Sequence, residues 1–269
     1  MQVQELLKVA VKAAVKGGIA IRKIYATDFA VEQKEDQSPL TLADQESHDI
    51  IVADLAITAI PVLSEEGKHM DFEERASWAK LWVVDPLDGT KEFVKRNGEF
   101  TVNVALIENG SPVLGVVYVP VSGELYYGCE GMAAAKMSSV MEEVDIVWEK
   151  AELMPLDVYK ERDVFVAVGS RSHASAETQA YFDVLNEEHG RVQILSKGSS
   201  LKLCMVAEGA ADVYPRFAPT MEWDTAAGHA VCKYAGCNVF QYDSKTPLTY
   251  NKENLLNPWF LVARERLEH

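Results

Sequence analysis

The chain has 269 residues, 48% of them hydrophobic and 25% charged, with 41 acidic against 26 basic side chains and a formal net charge of −15. That apolar share excludes a disordered or collagen-like chain, and the length points to two closely packed subdomains. The acidity argues against nucleic-acid polymers and anionic membranes as partners, since both are bound through Lys and Arg meeting phosphate.

The N-terminal stretch carries Lys8, Lys12 and Lys16 and lacks the unbroken apolar run of a signal peptide or membrane span. Leu6, Leu7, Ala10, Ala14, Ile21 and Ile24 recur at helical spacing, which predicts a helix over 3–25. A second helix is expected over about 42–59, entered by the capping-box-like Thr41-x-x-Asp44 and stopped by Pro61. Short strands follow at 62–64, 81–84, 101–107 and 113–119, the last two flanking Asn109-Gly110 as an antiparallel hairpin. A charged, Met-rich stretch over 132–160 carries the expected crossing between an N-terminal α+β subdomain, 1–145, and a C-terminal α/β subdomain, 146–266. Beyond it, strands at 164–168 and 192–195 alternate with helices from about 174 and 200. A strand at 212–214, a helix over 225–235 closed by Gly236, and a strand at 238–242 complete an α/β pattern. Leu267-Glu268-His269 reads as the start of a tag, and Cys129, Cys204, Cys232 and Cys237, without C-x-x-C spacing, read as reduced thiols of a cytoplasmic protein.

Three acidic stretches carry the chemistry. In Trp82-Val83-Val84-Asp85-Pro86-Leu87-Asp88-Gly89-Thr90 a buried-looking strand runs into two carboxylates; taken alone, the stretch reads better as a helix start with Asp85 as N-cap and Pro86 at the first position. Ser64-Glu65-Glu66-Gly67 also follows a short apolar run, and alone it is an ordinary exposed turn. In Glu222-Trp223-Asp224-Thr225-Ala226-Ala227-Gly228, Asp224 has its own reading as an N-cap. Together, acidic strand ends in one sheet can converge on a hard divalent cation, which takes oxygen ligands. No P-loop, Rossmann glycine fingerprint, G-x-S-x-G elbow or His-rich zinc spacing is present, and His173 and His229 are set aside as packing or surface residues.

In this order, Glu65-Glu66, Asp85-Pro-Leu-Asp-Gly-Thr90 and Trp223-Asp-Thr-Ala-Ala-Gly228 resemble the motifs of the Mg²⁺-dependent, lithium-sensitive phosphatases typified by inositol monophosphatase. The match is closest to the 3′(2′),5′-bisphosphate nucleotidases of bacterial sulfur assimilation, on Lys91-Glu-Phe93, Lys95 to Thr101, Ser170-Arg-Ser-His173, Gly198-Ser-Ser-Leu-Lys202 and Tyr214-Pro-Arg-Phe217. The resemblance implies a layered α-β-α-β-α sandwich and removal of the 3′-phosphate of adenosine 3′,5′-bisphosphate, giving AMP, with 3′-phosphoadenosine 5′-phosphosulfate as a further candidate substrate. It also implies two or three Mg²⁺ per active site and inhibition by Li⁺. Carried over by motif, Glu65, Asp85 and the Leu87 carbonyl hold one cation and Asp85, Asp88 and Asp224 the second. Thr90, oriented by Asp44, positions the attacking water. Gly89 and Thr90 N–H groups meet the phosphate if a helix starts there, and Ser199, Ser200, Lys202 and Arg216 meet the remainder of the substrate. An inositol or sugar phosphatase, or a non-catalytic protein that binds divalent cations, are the competing readings. Oligomeric state and peripheral contact with the inner membrane stay open.

Overall fold

The computed structural model describes residues 1–27, 39–156, 158, 162–170 and 175–264. Helix α1 (Val3–Tyr25) buries Leu6, Leu7, Ala10, Ala14 and Ile21 on one face, as their spacing predicts. Helix α2 (Pro39–Leu55) starts earlier than expected, with Pro39 as its first residue. Thr41 and Asp44 therefore lie inside the helix, and Asp44 is not part of a cap. A short turn of 3₁₀ helix, Ala56–Thr58, ends at Ala59 in the left-handed region, just before Pro61.

Strand β1 (Val62–Ser64) pairs in parallel with β2 (Lys80–Asp88). From β2 the sheet is antiparallel through β3 (Thr101–Glu108), β4 (Ser111–Val119), β5 (Glu124–Cys129), β6 (Met132–Met137) and β7 (Glu152–Leu153), seven strands in chain order. Asn109 and Gly110 both take positive φ, 50° and 76°, as the twist of the β3–β4 hairpin requires. Short helices α3 (Phe72–Arg75) and α4 (Thr90–Val94) interrupt the connections on either side of β2. The second sheet, in the order β11-β12-β10-β8-β9, is built from β8 (Phe165–Ser170), β9 (Val192–Lys197), β10 (Val213–Arg216), β11 (Cys237–Gln241) and β12 (Phe260–Arg264). Its helices are α5 (Ala176–His189), capped by the Ser175 hydroxyl, α6 (Leu201–Glu208) and α7 (Glu222–Tyr234).

Three apolar cores define the layers. Leu7, Val11 and Ile51 of α1 and α2 pack with Trp82, Val104 and Tyr118 on one face of the first sheet. Val83, Ala105 and Val117 on its other face meet Leu203, Val206, Ala227 and Val231 of α6 and α7, which rest in turn on Val166, Tyr214 and Val262 of the second sheet. Phe182 and Leu185 of α5 cover the far face of that sheet with Val213 and Phe217. The order is α-β-α-β-α, the sandwich that the motif resemblance implies. The first sheet continues to Leu153 and the second starts at Phe165. Strands β5, β6, β7 and β12 carry no signal in the sequence reading above. The β6 stretch, Met-Ala-Ala-Ala-Lys-Met, is made of helix formers, and its extended state comes from pairing with β5 rather than from propensity.

Candidate active site

The competing helix-start reading of the Asp-Pro-Leu-Asp stretch is overturned. Strand β2 runs on through Asp85, Pro86, Leu87 and Asp88 with an irregularity in its pairing to β3, and the helix cap is Gly89 at φ 106°. A side chain at Gly89 would meet Phe100 Cα at 3.2 Å and Ser199 Cβ at 3.3 Å, so both backbone conformation and space demand glycine there. The strand thus delivers two carboxylates to one end of the sheet. Asp85 is 1% exposed, and its Oδ1 accepts the Leu87 N–H at 3.1 Å. Leu87 buries its side chain in the α1–α2 core, so its main-chain carbonyl is the donor it can offer a cation. From α2, the Ser47 hydroxyl donates to the Pro86 carbonyl at 3.0 Å and fixes the intervening backbone.

Glu65 follows β1 directly, its N–H donating to the Val84 carbonyl at 3.1 Å, and it is an exposed residue followed by the exposed Glu66, although its carboxyl turns in toward Asp85 and Asp224. Helix α7 begins at Glu222, three residues before the expected start, so Asp224 is the third residue of its first turn and not the N-cap. Its Oδ2 accepts the Met221 N–H at 2.9 Å. Glu65, Asp85 and Asp224, from three separate elements, place carboxylate oxygens within 4.8 Å of one another.

Such crowding is costly for three anions, and the proton affinities register it. Burial foremost, then the charges of Asp88, Glu65 and Asp224, push the Asp85 carboxyl well above the carboxylate range. Burial and then Asp88 raise Asp224 to about 7. Asp44 is pushed to about 8 by burial and then by the charges of Glu66 and Glu65. Glu65 is raised by loss of solvent first and by Asp88 and Glu66. Asp88 is raised by burial against the opposing pull of Lys202 and Ser200. An all-oxygen, anionic donor set that its own protein leaves unneutralised fits a hard divalent cation.

The other expected site residues divide. The Ser200 hydroxyl lies 3.0 Å from Asp88 Oδ2 and 2.8 Å from the Asp224 carbonyl, which share its single proton, and it accepts from Asn103 Nδ2 at 2.9 Å. Its hydroxyl therefore ties Asp88 to α7 across the two sheets and is not a free substrate donor. Ser199, at φ 39°, donates its hydroxyl to the Glu99 carbonyl at 2.7 Å. Lys202, 6% exposed, donates to the Ser199 carbonyl at 2.7 Å, and burial foremost lowers its ammonium to about 8. Thr90 opens α4 with its side chain exposed, and among the described residues it shares no hydrogen bond with Asp44. Ser170-Arg-Ser-His173 lies, apart from Ser170, outside the described residues. His229 is a packing group as expected, 5% exposed, bonded through Nδ1 to the Tyr250 hydroxyl at 2.9 Å and lowered by burial to about 3.

Asn103 is the functional residue that the sequence reading passed over. It sits in β3 with Thr101 Oγ1 donating to its Oδ1 at 3.0 Å, and it is 1% exposed. A lone amide within the apolar run 102–107 was the available signal, because a buried polar group needs a partner.

Beside the carboxylates lies a cavity of about 130 Å³ lined by Asp88, Gly89, Lys202, Arg216, Thr220 and Asp224 among others. Arg216 Nε and Thr220 Oγ1, both buried, have no hydrogen-bond partner among the described residues.

The chain matches the model of the inositol monophosphatase family over residues 2–266. It is 46% identical over 251 residues to the 3′(2′),5′-bisphosphate nucleotidase CysQ of Escherichia coli O157:H7, covering 91% of this chain and 94% of that one. The CysQ of Salmonella typhimurium is 44% identical over 262 residues, covering 96% and 99%. A crystal structure of CysQ from Bacteroides thetaiotaomicron superposes with a TM-score of 0.92 at 54% identity, over 98% of both chains. An inositol monophosphatase from Zymomonas mobilis shares the fold, with a TM-score of 0.75 at 20% identity over 98% of this chain and 94% of that one. Acidic strand ends, layered sheets and these likenesses agree that the chain belongs to the inositol monophosphatase family.

Proposed function

We propose that the protein is a Mg²⁺-dependent phosphomonoesterase that removes the 3′-phosphate of adenosine 3′,5′-bisphosphate, giving AMP and phosphate, with 3′-phosphoadenosine 5′-phosphosulfate as a second substrate. The observation that carries this reading is the convergence of Glu65, Asp85 and Asp224 beside a cavity that Lys202 and Arg216 also line. Two or three cations fit the donor set, with Glu65, Asp85 and the Leu87 carbonyl on one side and Asp85, Asp88 and Asp224 on the other. When bound, Mg²⁺ supplies neutralisation of the phosphate charge and stabilisation of the leaving oxygen.

The chain's own groups have separable tasks. Asp44 and the Thr90 hydroxyl at the head of α4 are assigned to the attacking water, as the family motif implies, although the two side chains share no hydrogen bond among the described residues. Ser200 and Asn103 hold Asp88 in one orientation. With both neighbouring serine hydroxyls engaged, recognition of a second phosphate falls to Arg216 and the Lys202 ammonium. Two anionic groups on the substrate match that division, which favours a nucleoside bisphosphate over inositol or sugar monophosphates. The CysQ relatives are 3′(2′),5′-bisphosphate nucleotidases, which supports this reading. A net charge of −15 keeps nucleic-acid polymers away, and no helix among the described residues is long and apolar enough to cross a membrane.

Arg216→Ala is the discriminating variant, since Arg216 gives one bond to the backbone, Nη2 to the Pro219 carbonyl at 2.9 Å, whereas Lys202 bonds the Lys197 and Ser199 carbonyls and its loss would disturb the loop itself. A charge-assisted hydrogen bond contributes about 1.5–3 kcal/mol. The variant should therefore raise KM for adenosine 3′,5′-bisphosphate on the order of tenfold to a hundredfold, and KM for a nucleoside 3′-monophosphate far less. Steady-state kinetics on both substrates test this; equal effects would remove the second-phosphate role.

A further inference from the structure

Three carboxylates within 4.8 Å repel one another, and they are not equally anchored. Asp85 lies in a buried strand and Asp224 is bonded within its own helix turn, whereas Glu65 stands on an exposed turn. Glu65 and Gly67 of that turn line an open cavity of about 590 Å³ together with Trp223, Met221 and Leu255. Pairing of β1 with β2 and the Glu65 N–H bond to Val84 hold the start of the turn, and a further link is needed where the chain runs on into α3.

The segment after β11 provides it. Arg75, at the end of α3 and 2% exposed, donates to the Lys252 carbonyl at 2.6 Å, the Glu253 carbonyl at 2.9 Å and Asn251 Oδ1 at 3.0 Å. Asn251 Nδ2 returns a bond to the Arg75 carbonyl at 2.9 Å. On its other side the same segment grips α7. Glu222, fully buried two positions before Asp224, accepts the Asn251 N–H at 2.6 Å, the Lys252 N–H at 3.0 Å and the Lys252 ammonium at 2.6 Å. A buried ion pair is a poor source of net stability, which makes one placed two residues from a site carboxylate a candidate for fixing geometry instead.

We propose that Arg75, Asn251, Lys252 and Glu222 form a clasp that holds the Glu65 turn at its working distance from Asp224, so that the cation site is assembled before the cation arrives. They are positioning residues that act through Glu65 and Asp224. The inference rests on the divalent-cation reading above and adds to it the source of the site's preorganisation. If the clasp opens, only a fraction of molecules presents the converged site, and apparent affinity falls by that fraction.

The test titrates Mg²⁺ calorimetrically into the metal-free full-length protein and, separately, measures the Mg²⁺ concentration for half-maximal phosphate release. Arg75→Met opens one side of the clasp. The paired Glu222→Gln/Lys252→Met change opens the other without leaving a lone buried charge, and so retains the fold should Arg75→Met lose it. Both should weaken Mg²⁺ binding roughly tenfold, the effect expected of groups that support metal ligands. They should raise the Mg²⁺ requirement to match, with kcat at saturating Mg²⁺ nearly unchanged. A control pair, Lys136→Met/Glu208→Gln, removes another buried bridge, Lys136 Nζ to Glu208 Oε2 at 2.9 Å, and should lower thermal stability without altering Mg²⁺ affinity. Wild-type Mg²⁺ affinity in the folded clasp variants, or equal weakening in the control, would overturn the clasp. A wild-type protein that binds no Mg²⁺ would overturn the reading beneath it.

Discussion

Asp85→Asn is expected to reduce phosphate release on the order of a thousandfold at saturating Mg²⁺, while raising the thermal midpoint of the metal-free protein at pH 8. The two effects share one cause. Asp85 is buried at the meeting point of both proposed cation positions, and Asp88, Glu65, Asp224 and Asp44 all disfavour its ionised form. An amide of the same shape can still accept the Leu87 N–H, so β2 keeps its local geometry. The buried charge and its repulsions disappear, which relieves the folded state. Charge stabilisation by a bound cation contributes several kcal/mol in the transition state, and each ~1.4 kcal/mol is about a factor of ten in rate. A coupled phosphate-release assay and a thermal melt with chelator check both halves. A drop in activity accompanied by a drop in midpoint would instead mean that Asp85 is a structural residue.

The second large effect is in the pH dependence of stability. Asp44 and Asp224 have folded-state values of about 8 and 7, against an ordinary Asp value of 3.8. Over the interval between ordinary and raised values the folded chain holds protons that the unfolded chain has released, so stability falls as pH rises. The contribution is fully present below about pH 4 and is lost through pH 7 and then pH 8. The metal-free protein should therefore melt at progressively lower temperature from pH 5 to pH 8. Bound Mg²⁺ replaces those protons, so the rise in midpoint on adding Mg²⁺ should be larger at pH 8 than at pH 5. Differential scanning fluorimetry with EDTA or with excess MgCl₂ measures it; a Mg²⁺-induced rise independent of pH would contradict the assignment of these carboxylates to the cation site.

The layered fold was legible where local chemistry and tertiary demand agree. The apolar stripe of α1, the Asn109-Gly110 turn and the strand–helix alternation of the second half each state their structure in residues close in sequence. Legibility failed where distant partners decide. The pairing of β6 overrides the helix propensity of its alanines, and β12 is placed by antiparallel neighbours on both sides. The site shows the same division. Glu65, Asp85, Asp88 and Asp224 could be named because acidic strand and helix ends are local features. Ser200 could be named as a polar group at a helix start, but its direction could not be read, because Asp88 lies 112 positions away in sequence. The clasp was invisible for the same reason: Arg75 and Asn251 are separated by 176 positions, and neither stands in a motif. Capping readings of Asp44, Asp85 and Asp224 gave way in each case because the element began or ended a few residues from the expected place, leaving the carboxylate to face the site or, for Asp224, to bond a neighbouring N–H while still doing so.

The net charge of −15 bears on the central claim, since a pocket lined by converging carboxylates repels a phosphate ester unless cations are present. The direct measurement is phosphate release from adenosine 3′,5′-bisphosphate with MgCl₂ and with EDTA, the product followed by ³¹P NMR. Rapid loss of the 3′-phosphate resonance, with the 5′-monoester retained as AMP, is expected in Mg²⁺, and no release in EDTA. Release in EDTA at the Mg²⁺ rate, or removal of the 5′-phosphate in preference to the 3′, would contradict that claim.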